Sequence, residues 1–252
     1  MMQTPTFEVR DISVRYGFVK ALDNVSISVA SGEVVALLGD NGAGKSTLLS
    51  VMSGARRPTS GTIIINGVEC DLRSPRAASQ AGVQMVYQDL ALVEAMEISM
   101  NLTLGREPMM RGPLGRMGLL DRRAMRRESH AELDALGIRT APVTRPVEML
   151  SGGQRQVVAI ARAAARLGEQ GVLLMDEPTA ALGHEQTELV EALIRKLAAR
   201  GVAIVVVTHN LPLAGSVSDR TIVLNRGRKV ADVRTRDTGK DRVVGWITGA
   251  SL

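Results

Sequence analysis

The sequence predicts an α/β fold with a mainly parallel sheet, an antiparallel β region ahead of it and a helical segment inserted into it. Three observations carry this. The apolar runs Val34 to Leu38, Val172 to Met175 and Ala203 to Val207 are continuous rather than alternating, as strands covered on both faces are. Phe7, Val9, Ile12 and Val14, then Val25, Ile27 and Val29, show stretches of period-two alternation, which suits strands with one buried face. From about residue 89 to about 157 the texture changes to Met, Leu, Glu and Arg with few β-branched runs, which reads as a helical insertion within a single domain spanning about 5–250.

The individual elements follow in order. Ile63 to Ile65 before Asn66-Gly67 is the first arm of a hairpin with a tight turn. Val83 to Tyr87 is a strand. Asp121 is a good N-cap for a helix through Leu136, with Met125, Leu133 and Leu136 on one face and Gly137 as its stop. Ahead of that helix, Pro108 to Gly118 is rich in Gly and Pro and reads as an exposed loop. The seven methionines between Met96 and Met149 are expected to fill gaps in the core. Ser151 opens a helix that runs to about Leu167.

Composition excludes several classes. With 252 residues the chain is long enough to bury a sizeable core. One Trp, two Tyr and two Phe argue against modules that stack bases on aromatic platforms, and no nucleic-acid partner is expected. Cys70 stands alone, so an internal disulfide framework or a four-cysteine metal site is out of reach. The N-terminus has no apolar core of a secretory signal, and no run approaches the roughly 18 apolar residues that cross a bilayer. The net charge is +5. Six arginines against Asp121 alone lie between Arg111 and Arg127, a pattern that reads first as a solvated basic helix face with a loop before it.

The chemistry is concentrated at three places. Gly39-Asp40-Asn41-Gly42-Ala43-Gly44-Lys45-Ser46-Thr47 follows one buried run and precedes a helical pattern, the strand, loop and helix context of a phosphate-binding loop. Its glycines let backbone N–H groups converge on phosphate oxygens, Lys45 reaches the β and γ phosphates, and Ser46 offers a hydroxyl to Mg²⁺. Val172 to Met175 runs into Asp176-Glu177, which places two carboxylates at the carboxyl edge of the sheet beside the phosphate loop. There Asp176 can serve Mg²⁺ and Glu177 can polarise an attacking water. Leu150-Ser151-Gly152-Gly153-Gln154 opens a helix as a second anion-binding turn that lacks a lysine of its own.

These three motifs together closely resemble those of the ATP-binding cassette (ABC) ATPases, over nearly the whole chain. The resemblance implies a P-loop NTPase core with ATP and Mg²⁺ as cofactors. It implies that Tyr16 stacks on adenine, that Gly39, Asn41, Gly42, Gly44, Lys45, Ser46 and Thr47 hold the phosphates, and that Gln88 reaches Mg²⁺ or water and relays contact from a membrane partner. It assigns His209 to the γ-phosphate and Ser151, Gly152, Gly153 and Gln154 to the nucleotide held by a second copy of the chain, so that two copies meet head to tail around two ATP. One departure stands out: Ala180-Ala181-Leu182-Gly183 occupies the place of the usual Ser-Ala-Leu-Asp, so the loop aspartate that speaks across the dimer is absent.

Tyr87 to Leu92, Asn101 to Pro108 and Trp246 to Ala250 look like the corresponding segments of monosaccharide importers of the ribose and fructose type. That branch implies a peripheral subunit on the cytoplasmic face of the inner membrane, beneath a permease fed by a periplasmic or lipid-anchored sugar-binding protein. Many such ATPases carry two fused cassettes, and this chain reads as one. A cassette ATPase of an exporter, or a soluble one outside transport, would use the same motifs; the latter typically carries a long coiled-coil insertion or a second cassette.

Overall fold

A computed structural model describes residues 5–138, 140–168, 171–180 and 182–250. The strands are β1 (Pro5–Tyr16), β2 (Val19–Ala30), β3 (Val34–Leu38), β4 (Ser60–Ile65), β5 (Val68–Glu69), β6 (Val83–Val86), β7 (Val172–Asp176), β8 (Ala203–Val207), β9 (Arg220–Asn225) and β10 (Arg228–Arg234). The helices are α1 (Lys45–Met52), α2 (Pro75–Gln80), α3 (Ile98–Thr103), α4 (Pro113–Arg116), α5 (Arg122–Ala135), α6 (Gly152–Ala164), α7 (His184–Ala199), α8 (Leu211–Val217) and α9 (Lys240–Thr248). The described residues pack as two compact units, one from Met1–Gln88, Arg166–Pro178 and Ile194–Leu252, the other from Asp89–Ala165 and Thr179–Leu193.

The first unit holds both sheets. One is antiparallel, in the order β2-β1-β4-β5, and the other runs β10-β9-β3-β8-β7-β6, parallel except for the edge strand β10. The alternating residues of β1 and β2 face one another: Phe7 pairs with Val29, Val9 with Ile27 and Ile12 with Val25, all of them buried. Asn66 and Gly67 both adopt positive φ, +50° and +79°, the conformation a two-residue hairpin turn demands. The continuous run of β3 has its explanation in the packing. Val35 and Leu37 join the cluster formed with the antiparallel sheet and α1, while Ala36 and Leu38 join another with Ala214 of α8, Val223 of β9 and Val243 of α9. Successive side chains of a strand point to opposite faces, so a strand covered on both has no place for a polar residue.

The second unit is helical. Asp121 caps α5, its side chain accepting from Ala124 N at 2.9 Å, and Met125 and Leu133 are buried along it. Gly137 follows with φ +62°. Buried Asn101 accepts from Val93 N at 2.8 Å and donates to Val93 O at 3.0 Å, which fixes the segment ahead of α3.

Several expectations need correction here. The strand read as Val83 to Tyr87 ends at Val86, leaving Tyr87 exposed, and α6 ends at Ala164 rather than near Leu167. The segment Pro108 to Gly118 is exposed but contains the short helix α4 and a bridge from Met109 to Leu120. Most of the methionines do not fill the core: Met125 is buried, whereas Met109, Met110, Met117 and Met149 are exposed. The cause is local, since α4 is one turn long and buries no residue, too short to present a covered face. Of the six arginines in the basic stretch, five are exposed and Arg126 is partly buried against Glu97 at 3.1 Å. Among the described residues no helix is long and apolar enough to cross a membrane.

Because Leu37 is wholly buried at the centre of β3, Leu37→Ala is expected to lower unfolding free energy by about 2–5 kcal/mol. The midpoint of chemical denaturation, compared at equal slope, measures this.

Candidate functional site

The phosphate-loop sequence is held in place by what its glycines allow to approach. A Cβ on Gly39 would lie 2.4 Å from the Leu224 carbonyl oxygen of β9, and one on Gly44 would lie 2.8 Å from Leu22 Cδ2 and 2.9 Å from the Ala21 carbonyl of β2. Gly44 also has φ +106°, a conformation that L side chains rarely adopt. Ala43 O accepts from Gly227 N at 2.9 Å, closing the loop on that side. The loop is therefore clamped between β2 and the β9–β10 turn before any ligand arrives. Lys45 Nζ donates to Gly39 O at 2.7 Å and to Asp40 O at 3.0 Å, so the ammonium lies over the loop's own carbonyls. Asn41, Gly42 and Ser46 are exposed, and Thr47 is half-buried in the first turn of α1. Gly44, the N-cap of α1, contributes no side-chain acceptor, which leaves first-turn amides available to an anion.

The carboxylates stand at the carboxyl end of a strand that does not itself pair with β3. On one side β3 pairs with β8, and β7 lies one strand further out. Asp176 ends β7, and Glu177 follows with φ +48°, a left-handed conformation that costs a non-glycine residue on the order of 1–3 kcal/mol. Three bonds to the end of β8 hold it there. Glu177 N donates to Val207 O at 2.9 Å, Oε2 accepts from Thr208 Oγ1 at 3.1 Å, and Oε1 lies 2.8 Å from His209 Nδ1. The Glu177 side chain is only 15% exposed, whereas that of His209 is 76% exposed, so the imidazole is the wet end of the pair.

Burial, and secondarily the adjacent Glu177 carboxylate, push the Asp176 carboxyl above the usual carboxylate range, with Lys45 acting in the opposite sense. A cation at this place would relieve that penalty. Asp176 and the exposed Ser46 hydroxyl offer hard oxygen ligands, and the described residues contain no cluster of three or more His, Cys, Asp or Glu that could hold a metal. Such a donor set suits an ion that keeps water and shares phosphate oxygens, as Mg²⁺ does.

Tyr16 ends β1, 43% exposed, with the Arg56 guanidinium 4.0 Å from its ring centroid. The segment after α1 is drawn to that strand by Thr59 N donating to Ser13 O at 2.8 Å and Arg15 N donating to Thr59 Oγ1 at 3.1 Å. Gln88 is exposed in the turn after β6. Tyr16, residues 39–47, Gln88, Asp176, Glu177 and His209 thus all belong to the first unit, and Ser151 to Gln154 belong to the second. There Ser151 Oγ accepts from Gln154 N at 3.3 Å while Gln154 Oε1 accepts from Ser151 N at 3.0 Å, a reciprocal capping box at the start of α6. Ser151, Gly152 and Gln154 are exposed, and Gly153 is buried.

Two residues of the first unit escaped the sequence reading. Thr208 is wholly buried, and its hydroxyl both donates to Glu177 and accepts from Asn210 N at 3.0 Å. The signal was a lone hydroxyl between an apolar run and His209. Arg56 gave no signal, because only the fold brings it to Tyr16.

A family model described as ABC transporter matches residues 22–180. The chain is 43% identical to the fructose import ATP-binding protein FrcA of Rhizobium meliloti, covering 99% of this chain and 96% of that one. It is 40% identical to the xylose/arabinose import ATP-binding protein XylG of Sulfolobus acidocaldarius, covering 97% and 94%. Against an arabinose import ATP-binding protein of Burkholderia thailandensis the identity is 42%, and the chain spans only 45% of that protein's length. Among solved structures, a dimeric ATP-binding cassette in a post-hydrolysis state with ADP and Pi aligns with a TM-score of 0.73 at 27% identity, covering 91% of this chain and 99% of that one.

Two outcomes follow from the geometry. Below the ordinary aspartate value of 3.8 the raised Asp176 group favours folding, and as pH rises through its folded value that contribution is lost. Asp176→Asn is therefore expected to raise the thermal midpoint of the nucleotide-free protein at pH 7, with the gap to the parent narrowing as pH approaches 4. Thr208→Val, which removes one hydrogen bond to the Glu177 carboxylate, is expected to lower kcat for ATP about tenfold with little change in KM, read from steady-state kinetics.

Proposed function

The chain belongs to the ABC transporter family, and on that footing we propose that it is the ATP-hydrolysing subunit of an importer that carries a monosaccharide through a membrane permease. The fructose, xylose and arabinose named for its relatives support the cargo class. The observation that carries the ATPase reading is Glu177, held by Thr208 and His209 at the carboxyl edge of the sheet that also presents Lys45.

In this reading the triphosphate takes the place of the Gly39 and Asp40 carbonyls on Lys45, and its oxygens accept from the amides of residues 42–47. Tyr16 stacks on adenine. Glu177 accepts a hydrogen bond from the attacking water and sets it in line with the γ-phosphorus, and His209, tied to Glu177 through Nδ1, meets the γ-phosphate with its exposed edge. Lys45 takes up charge on the oxygen that bridges to the leaving diphosphate. Mg²⁺, held by Ser46 and Asp176 with Gln88 at its water shell, would supply neutralisation of phosphate charge.

A second copy of the chain, head to tail, brings Ser151 and Gly153 to the γ-phosphate of the first. The post-hydrolysis cassette dimer among the similar structures supports such an arrangement. The helical second unit corresponds to the inserted subdomain, with the permease as its neighbour, and the protein sits peripherally on the cytoplasmic face. A periplasmic or lipid-anchored sugar-binding protein delivers the cargo.

The test is direct. With ATP and Mg²⁺, Glu177→Gln is expected to lower kcat by roughly 10²-fold or more while nucleotide still binds, and Lys45→Ala to weaken both binding and turnover. Parental turnover in Glu177→Gln would sink the assignment of the base. Capture of tagged Glu177→Gln protein from detergent-solubilised host membranes is expected to bring down a polytopic membrane protein in stoichiometric yield; recovery of soluble proteins alone would move the ATPase off the membrane.

A further inference from the structure

Two glycines in the second unit, thirty positions apart in sequence, make room for one side chain. Gly153 lies in the first turn of α6 and is not among the residues with positive φ, so its backbone asks for no special freedom. What it lacks is space: a Cβ there would lie 2.3 Å from Gln186 Cγ and 2.6 Å from Gln186 Cβ. Gln186 Cβ is fixed by the backbone of α7, so no rotation of the side chain relieves that contact. At Gly183, just ahead of α7, a Cβ would lie 2.5 Å from Gln186 Oε1, and this backbone too has no positive φ. The neighbouring contact is looser, a Cβ on Gly152 lying 3.8 Å from Leu182 Cδ2. Gln186 is half-buried, its stem against Gly153 and its carboxamide against Gly183, while Ser151 stays exposed beside it.

We propose that Gln186 is a positioning residue for the turn Ser151 to Gly153, acting through the stem that lies over Gly153. The proposal rests on the reading that this turn meets the nucleotide of a second copy. Its amides can serve a phosphate only if the first turn of α6 is correctly aimed, and Gln186 ties that aim to the start of α7. Gly153 meets the stem of Gln186 and Gly183 its carboxamide, so the first turn of α6 and the start of α7 share one side chain. A side chain at position 183 would crowd only Gln186 Oε1, the far end of a flexible side chain that can turn aside, so the stem over Gly153 carries the positioning.

Two measurements on the full chain test this, with Glu177→Gln as parent. One is the ATP concentration that half-saturates dimer formation in sedimentation velocity, with ADP binding to the monomer measured alongside. The other is backbone amide exchange in the first turn of α6 without nucleotide. Adding Gln186→Ala is expected to raise the ATP requirement about tenfold and to speed exchange at residues 152–154, leaving ADP affinity unchanged. Gln186→Met, which keeps the stem over Gly153, should restore most of the loss, and Gly183→Ala, which displaces only the end of the carboxamide, should match the parent. Parental dimerisation and exchange in Gln186→Ala, or no rescue by Gln186→Met, would overturn the proposal. If the parent stays monomeric with ATP, the shared-site reading fails, and exchange alone then decides: acceleration by Gln186→Ala upholds the positioning role and no change removes it.

Discussion

Burial of β3 on both faces governs most of what the rest of the chain does. With β8 on one edge and β9 on the other, and apolar clusters above and below, the strand has no freedom of position. Whatever leaves its carboxyl end therefore leaves at a fixed point. The loop from Gly39 to Gly44 inherits that rigidity and adds its own, since two of its glycines are pressed against the backbone of β9 and β2. A site for a highly charged ligand needs donors that are aimed before the ligand comes, and this packing supplies the aim without a single charged residue in the core of the strand.

The acidic part of the site shows how the neighbouring strand divides the labour. Glu177 sits in a backbone conformation that it would not choose alone, and all three of its polar restraints come from the three residues that end β8 or follow it, Val207, Thr208 and His209. Asp176 meets the opposite situation, being disfavoured as an anion by burial and by Glu177. Two consecutive carboxylates are thus set apart by surroundings: one is anchored, the other is in want of a positive partner. Their difference is a property of the sheet order, which inserts β8 between the loop strand and the acidic strand.

Legibility in the sequence followed the range of the interactions. The phosphate loop, the doubly buried strands, the Asn66-Gly67 turn and the Asp121 and Ser151 caps were readable because each depends on residues within a few positions of one another. Thr208, Arg56 and Gln186 were not, because their roles depend on partners that only the fold brings near, Glu177 across two strands, Tyr16 across the turn after α1, and Gly153 across two helices. The methionines failed for another reason. Their side chains suit a core, yet the segment that carries Met109, Met110 and Met117 has too little regular structure to cover them. Glycine was the subtlest case: Gly153 looked like part of an anion cradle, and its missing side chain is also explained by the residue that lies over it.

The resting position of Lys45 has a thermodynamic consequence. Its ammonium is already solvated by two peptide oxygens of its own loop, so an incoming phosphate does not capture a bare charge; it competes with an internal ligand. The contribution of this nitrogen to the grip on nucleotide is then a difference between two sets of bonds, and it is smaller than the phosphate bonds alone would give. When the phosphate departs, the amine has a prepared place to return to. A cyclic motor gains from that arrangement, because an anchor that held its fuel with full force would hold its spent products almost as hard.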